Sequence, residues 1–107
     1  MAQSQAPDFI SVIEDLPLMP GLSEDPDGAM SFDTANGRIA ETTASGFVEP
    51  GDVIDYYKHA LPQLGWKRVA ATRYRREDEV LNIDVAKGSD EAVQVLVHFR
   101  LSPTMTK

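Results

Sequence analysis

The chain has no cysteine. That excludes disulfides, a thiolate nucleophile and thiolate metal ligands. Histidine is scarce, with only His59 and His98. The first half almost lacks cations: residues 1–55 carry 11 acidic side chains and 1 basic one, a net −10. Residues 56–107 carry 6 acidic and 9 basic side chains, a net +3. The total of −7 favours solubility and works against nonspecific nucleic-acid binding. No apolar run approaches the ~18–20 residues of a membrane helix. No Gly-x-Ser-x-Gly elbow and no Gly-rich phosphate loop occurs.

What is present points to one domain of 107 residues, long enough for a single core. Val53, Tyr56, Tyr57, Ala60, Leu61 and Leu64 recur at helical spacing and form one apolar stripe. Glu49-Pro50-Gly51-Asp52 suits the first turn of that helix. Pro62 should tighten or kink its end, and Gly65 can take the left-handed conformation that stops it. Trp66 then packs back on Leu61.

Upstream, residues 1–7 are expected to be a disordered tail. Asp8 is placed to cap a short helix with Phe9, Ile10, Ile13 and Leu16 as its stripe. Pro17 to Leu22 should lie extended across the domain, and Ser23 to Gly28 should form an acidic loop. Asn36-Gly37 predicts a tight hairpin turn between Met30–Ala35 and Arg38–Ala44. Phe32 then faces Glu41, and Met30, Phe32 and Ile39 share a side.

Three strands are expected after the helix. Lys67 to Arg76 reads as one, with a turn at Glu77-Asp78 that sets Tyr74 opposite Leu81 and Arg73 opposite Asn82. A three-residue turn would reverse its face and bury Arg73, a worse choice for an unpaired cation. Leu81, Ile83 and Val85 alternate with polar residues, as do Val93, Val95, Val97, Phe99 and Leu101 with theirs. A loop at Lys87–Glu91 would pair Ile83 with Val95. The expected fold is α+β: a largely antiparallel sheet of about five strands, order α-β-β-α-β-β-β, with a helix on one face. The domain would span 8–102, with 103–107 as a second tail.

The other sheet face should be open and polar. It would carry Arg73, Arg75, Asn82, Asp84, Gln94, His98 and Arg100. The binding candidates are Arg73, Arg75, Asn82, His98 and Arg100, which suit an anion or an acidic partner strand. A general-base role for His98 needs Asp84 beside it. The expected register leaves the two about 13 Å apart, too far for a hydrogen bond. Lys67, Arg68, Arg73, Arg75 and Arg76 cluster around Tyr74, a pattern that can touch phosphate and stack a base, but Glu77-Asp78-Glu79 follows at once. Glu24-Asp25-Pro26-Asp27-Gly28 offers hard oxygens but lacks the spacing of a calcium loop. No catalytic residue, metal or cofactor is expected.

Tyr56-Tyr57-Lys58-His59-Ala60-Leu61-Pro62-Gln63-Leu64-Gly65-Trp66 resembles a run in small bacterial domains of unknown function, several of them exported or lipid-anchored. Those domains place a Phe/Tyr-Tyr pair, a few helical residues and Leu-Gly-Trp before a strand meander. The likeness covers about residues 48–101. It implies an envelope accessory role and supplies no site residue. Ala2 to Pro7 is also small and polar, like the start of a secreted bacterial protein after leader cleavage. A periplasmic or secreted location therefore stands beside a cytoplasmic one. The functional expectation is a non-enzymatic module that binds another protein or a second copy of itself. A small-ligand or anion site on the Arg-rich face is the alternative.

Overall fold

A computed structural model describes residues 9–13, 15–25, 27–90 and 93–104. Among them are seven strands rather than five: β1 (Leu22–Glu24), β2 (Met30–Thr34), β3 (Gly37–Gly46), β4 (Lys67–Ala70), β5 (Arg73–Arg76), β6 (Glu79–Asp90) and β7 (Val93–Pro103). The helix α1 spans Pro50–Ala60 and continues as a 3-10 turn, Leu61–Leu64. All strand pairs are antiparallel, in the order β1-β3-β7-β6-β5-β4. β2 also pairs with β3, alongside Gly37–Glu41, while β1 takes Ala44–Gly46.

The helix forms where its stripe predicts. Pro50 sits in its first turn, and Asp52 places an acid there. Pro62 falls in the 3-10 segment, where tighter winding absorbs the missing N–H. Gly65 has φ 93° and closes the turn. The Trp66 amide then donates to the Leu61 carbonyl at 3.1 Å, which carries the ring back under the helix. Val53, Tyr57, Leu61 and Trp66 are buried with Tyr74, Leu81, Ile83, Val95, Val97, Phe99 and Leu101 from the sheet. Tyr57 meets Phe99 edge-on at 5.5 Å between ring centroids. The Arg76 guanidinium lies 4.3 Å over the Trp66 ring and is held by Asp15 at 2.6 Å.

Four expectations need correction. The described residues of the first expected helix, Phe9–Ile13 and Asp15–Leu16, are not helical; Asp8 and Glu14 lie outside the described residues. The chain there turns back on itself, with Phe9 bridging Pro17 and the Ile10 amide donating to Leu16. Eight or so residues are too few to hold a helix without strong capping, and the turn still buries Ile10, Ile13 and Leu16. Second, the stretch 22–24 is strand β1 rather than loop, because β3 runs past the end of β2 and leaves Ala44–Gly46 for it to pair with. Third, Lys67–Arg76 is two strands, folded at Ala71-Thr72. These last two changes bring five strands to seven. Fourth, the hairpin registers slip by even steps. Thr34 pairs with Gly37 and Met30 with Glu41, while Ile83 pairs with Phe99. The first slip follows from local bonds: the Thr34 hydroxyl donates to the Gly37 carbonyl at 2.7 Å and accepts the Asn36 amide at 3.2 Å. Even slips keep each residue on its expected face.

The N-terminal segment is tied in by two polar clasps. The Tyr57 hydroxyl donates to the Pro17 carbonyl at 2.7 Å and accepts the Met19 amide at 3.1 Å. Burial pushes the Tyr57 phenol well above its usual range, against the Met19 bond, which lowers it; Tyr56 raises it slightly further. Glu24 receives the Ser11 amide, the Ser11 hydroxyl and the Thr42 hydroxyl at 2.7–3.0 Å. Burial would raise its carboxyl, but the bonds from Thr42 and Ser11 outweigh that and lower it. At the other end the Thr104 amide donates to Asp78 at 2.8 Å, so the ordered chain runs past Ser102.

The two lateral edges differ. β4 is four residues long, carries Lys67 and Arg68, and breaks register between Arg68 and Ala70. β2 is five exposed residues without Lys, Arg or Pro, with Met30 and Phe32 about half exposed.

Candidate functional site

Alternation along the strands decides which side chains reach the uncovered face. Residues flanking the buried Leu81, Ile83, Val97 and Phe99 point away from α1, so Asn82, Asp84, His98 and Arg100 share the open side. Cross-strand pairing arranges them in rows. Glu41, Arg100, Asn82 and Arg73 form one row across β3, β7, β6 and β5. Thr43, His98 and Asp84 form the next.

Glu41 is the hub of the first row. Its carboxylate accepts from Arg100 at 3.0 Å and lies 3.2 Å from His98 Nε2. Arg73 donates through Nε to Asn82 Oδ1 at 3.1 Å, which aims the guanidinium without using its terminal nitrogens. Arg75 has no side-chain partner among the described residues. It stands opposite Val80 on one side and Lys67 on the other.

A shallow groove of about 440 Å³ runs over this end of the face. Arg73, Arg75 and Asn82 line it, with Val69, Val80, Ser102, Pro103 and Thr104. A second hollow of about 420 Å³ lies beyond Val69 and Arg75, bounded by Gly65, Lys67, Arg76 and Glu77. Arg75 is therefore a shared wall.

The structure brings three of the five binding candidates, Arg73, Arg75 and Asn82, to one groove. It leaves Arg100 and His98 with Glu41, outside that lining. The side chain of Gln94 lies outside the described ones. Asp84 and His98 are direct cross-strand neighbours rather than two pairs apart, because of the register slip. The hydrogen bond of His98 nevertheless goes to Glu41. His59 sits on α1 with Nδ1 2.8 Å from the Asp55 carbonyl, so Nδ1 carries the proton. Tyr74 is buried at 1% exposure and cannot stack a base. Burial raises its phenol, while the charge and hydrogen bond of Arg68 lower it less. In the acidic loop, Pro26 lies outside the described residues, Asp25 Oδ1 accepts the Asp27 amide at 3.0 Å, and Glu24 is engaged with Ser11 and Thr42. Among the described residues no three His, Cys, Asp or Glu are grouped to hold a metal, and no helix is long and apolar enough to cross a membrane.

Sequence reasoning missed Val69, Val80 and Pro103 as groove walls. Val80 was legible, being one strand step from Asn82 on the same side. Val69 was not, since its place depends on the irregular pairing in β4. Met30 and Phe32 share the open side with Glu41 and stay exposed. No protein family, curated protein or solved structure matches the chain.

Proposed function

We propose that the protein is a non-enzymatic interaction module that binds another protein, or a second copy of itself, through the open face of its sheet. The observation that carries this reading is the pairing of one face buried under α1 and the N-terminal turn with one on which α1 places nothing. On that open face Met30, Phe32, Val69 and Leu96 are 44–54% exposed among charged rows. Mixed aromatic, aliphatic and Arg composition is typical of contact surfaces. The resemblance of the Tyr56–Trp66 run to envelope domains supports an accessory role there.

The absence of cysteine makes the test clean. Single cysteines at Leu96 or Arg75 on the open face, and at Lys58 on the helix, can each carry a photo-crosslinker. Adducts from the open-face positions, as a dimer or a discrete larger band, support the proposal. Adducts confined to Lys58 sink it. The second reading, an anion-binding domain, is favoured by one observation, the joint presence of Arg73 and Arg75 in the groove. A small anion that protects the two arginines from a guanidine-modifying reagent would support it.

A further inference from the structure

The groove at the β4–β5 end combines features that a bare charged surface does not. Five of the ten Lys and Arg residues of an acidic chain fall within residues 67–76. Two of them, Arg73 and Arg75, project from the same side of one strand. Alternate residues of a strand repeat every ~7 Å. The Arg73 guanidinium is tied through Nε to Asn82, so it stays at its own row rather than swinging to Arg75. Arg75 is rooted one repeat along the same strand, opposite Val80. The groove therefore presents two guanidiniums rooted one strand repeat apart, each able to fork a carboxylate through its terminal nitrogens. Val69, Val80 and Pro103 flank them and give a bound chain apolar surface to lie against.

A single phosphate needs donors that converge on one point. These two do not. An extended polypeptide presents alternate side chains at the same ~7 Å repeat. We propose that this groove binds an extended acidic peptide in which two carboxylates, separated by one residue, engage Arg73 and Arg75. The proposal rests on the open-face reading above and assigns its partner chemistry. Local charge complementarity selects the occupant: the groove lining carries Arg73 and Arg75 and no acidic side chain, so at contact it favours carboxylates over cations.

The test uses two end-capped seven-residue peptides of threonine and two glutamates. In one the glutamates are separated by a single threonine; in the other they are adjacent and point to opposite sides of an extended chain. Binding to the full chain is followed by fluorescence anisotropy at low salt. The separated peptide should bind about tenfold tighter than the adjacent one, the effect of one well-made charged contact. Arg73→Gln and Arg75→Gln should each erase that preference, and Arg100→Gln should leave it intact. Thermal melts of the three variants check that each remains folded. Inorganic phosphate should displace the peptide no better than chloride at equal ionic strength.

Equal binding of the two peptides, indifference to both Arg variants, or specific displacement by phosphate each overturns the proposal. The last outcome identifies a simple anion site. Failure of the broader reading looks different. If the peptides do not bind while crosslinkers at Leu96 still form open-face adducts, only the acidic-peptide assignment falls. If Leu96 and Arg75 both give no adducts, the open face itself is not the contact surface.

Discussion

The two faces of this sheet are built from the same strands and obey different physics. On the covered side, Val97, Phe99, Leu101, Leu81 and Ile83 interlock with Tyr57, Leu61 and Trp66, and exposure falls to 2% or less. On the open side, the intervening residues are ions and amides that exchange water for one another at little gain, with apolar side chains such as Leu96 left exposed among them. The lesson is a division of labour within single strands. Substitutions on one parity test the fold, and those on the other test recognition, with little crossover expected between sets whose side chains do not touch.

The strongest challenge to that division is Trp66→Ala. The ring is 2% exposed, seals the helix end, and lies beneath Arg76. Its loss should lower stability by about 3–5 kcal/mol, read from the urea midpoint. An unchanged midpoint would place Trp66 with the recognition residues.

Tyr57→Phe comes next, at about 1–3 kcal/mol. It leaves the ring packed but strands the Pro17 carbonyl and Met19 amide. It also tests a pH effect. The folded Tyr57 pKa lies above the ordinary value of 10.0, so the folded state holds its proton more tightly than the unfolded one. This contribution is full below pH 10 and is lost as pH rises towards the folded pKa. Thermal midpoints taken from neutral to strongly alkaline solution should fall more steeply in the wild type than in Tyr57→Phe. Tyr74, also raised, keeps part of the slope in both. Parallel slopes would show that the Tyr57 clasp opens before unfolding.

Glu24→Gln should cost about 1 kcal/mol at neutral pH, since one oxygen and two hydroxyl contacts can be re-made. Its pH signature runs the other way. The folded Glu24 pKa lies below the ordinary 4.5, so its stabilisation is present above that value and is lost as pH falls through the folded pKa. The variant should flatten the acid limb of a stability–pH curve. An unaltered limb would assign acid unfolding to other carboxylates.

The smallest effect is expected from changing Arg73, Arg75 and Arg100 together to Gln. Exposed charges contribute about 0–1 kcal/mol each, and the Arg100–Glu41 pair is the only ion pair removed among the described residues. Stability should stay near wild type while the salt dependence of acidic-partner binding flattens. Unfolding of the triple variant would erase the contrast between the faces.

Much of this was readable from residue order, for local reasons. The unit from Pro50 to Trp66 is specified by contacts a few residues apart, so stripe, Pro62 and Gly65 predicted it together. The face assignment of Arg73, Arg75, Asn82, His98 and Arg100 survived because strand periodicity is two and both register slips were even. The registers themselves were not readable. Val93 to Leu101 repeats valine-like residues at every second place, and sliding it by four alters few pairings in kind. The opposition of Asp84 and His98 was lost with that slip. β1 escaped notice because three residues form a strand only when β3 waits beside them. Of the groove walls, Ser102, Pro103 and Thr104 come from a strand end distant in sequence, and Val69 from an irregular pairing, so no local pattern encodes either.

The unlike edges of the sheet bear on handling as well as biology. A strand seeking an unpaired backbone meets obstacles along β4: a short run, two cations and a break in register. Along β2 it meets one charge, Asp33, and Met30 and Phe32 offer it apolar neighbours. Crowding at high concentration therefore has a preferred point of entry. A lysine at Ser31, on the side away from Met30 and Phe32, would guard that entry and leave the open face as it is. Concentrated stocks of such a variant should stay clear longer than wild type at neutral pH, with the same melting temperature.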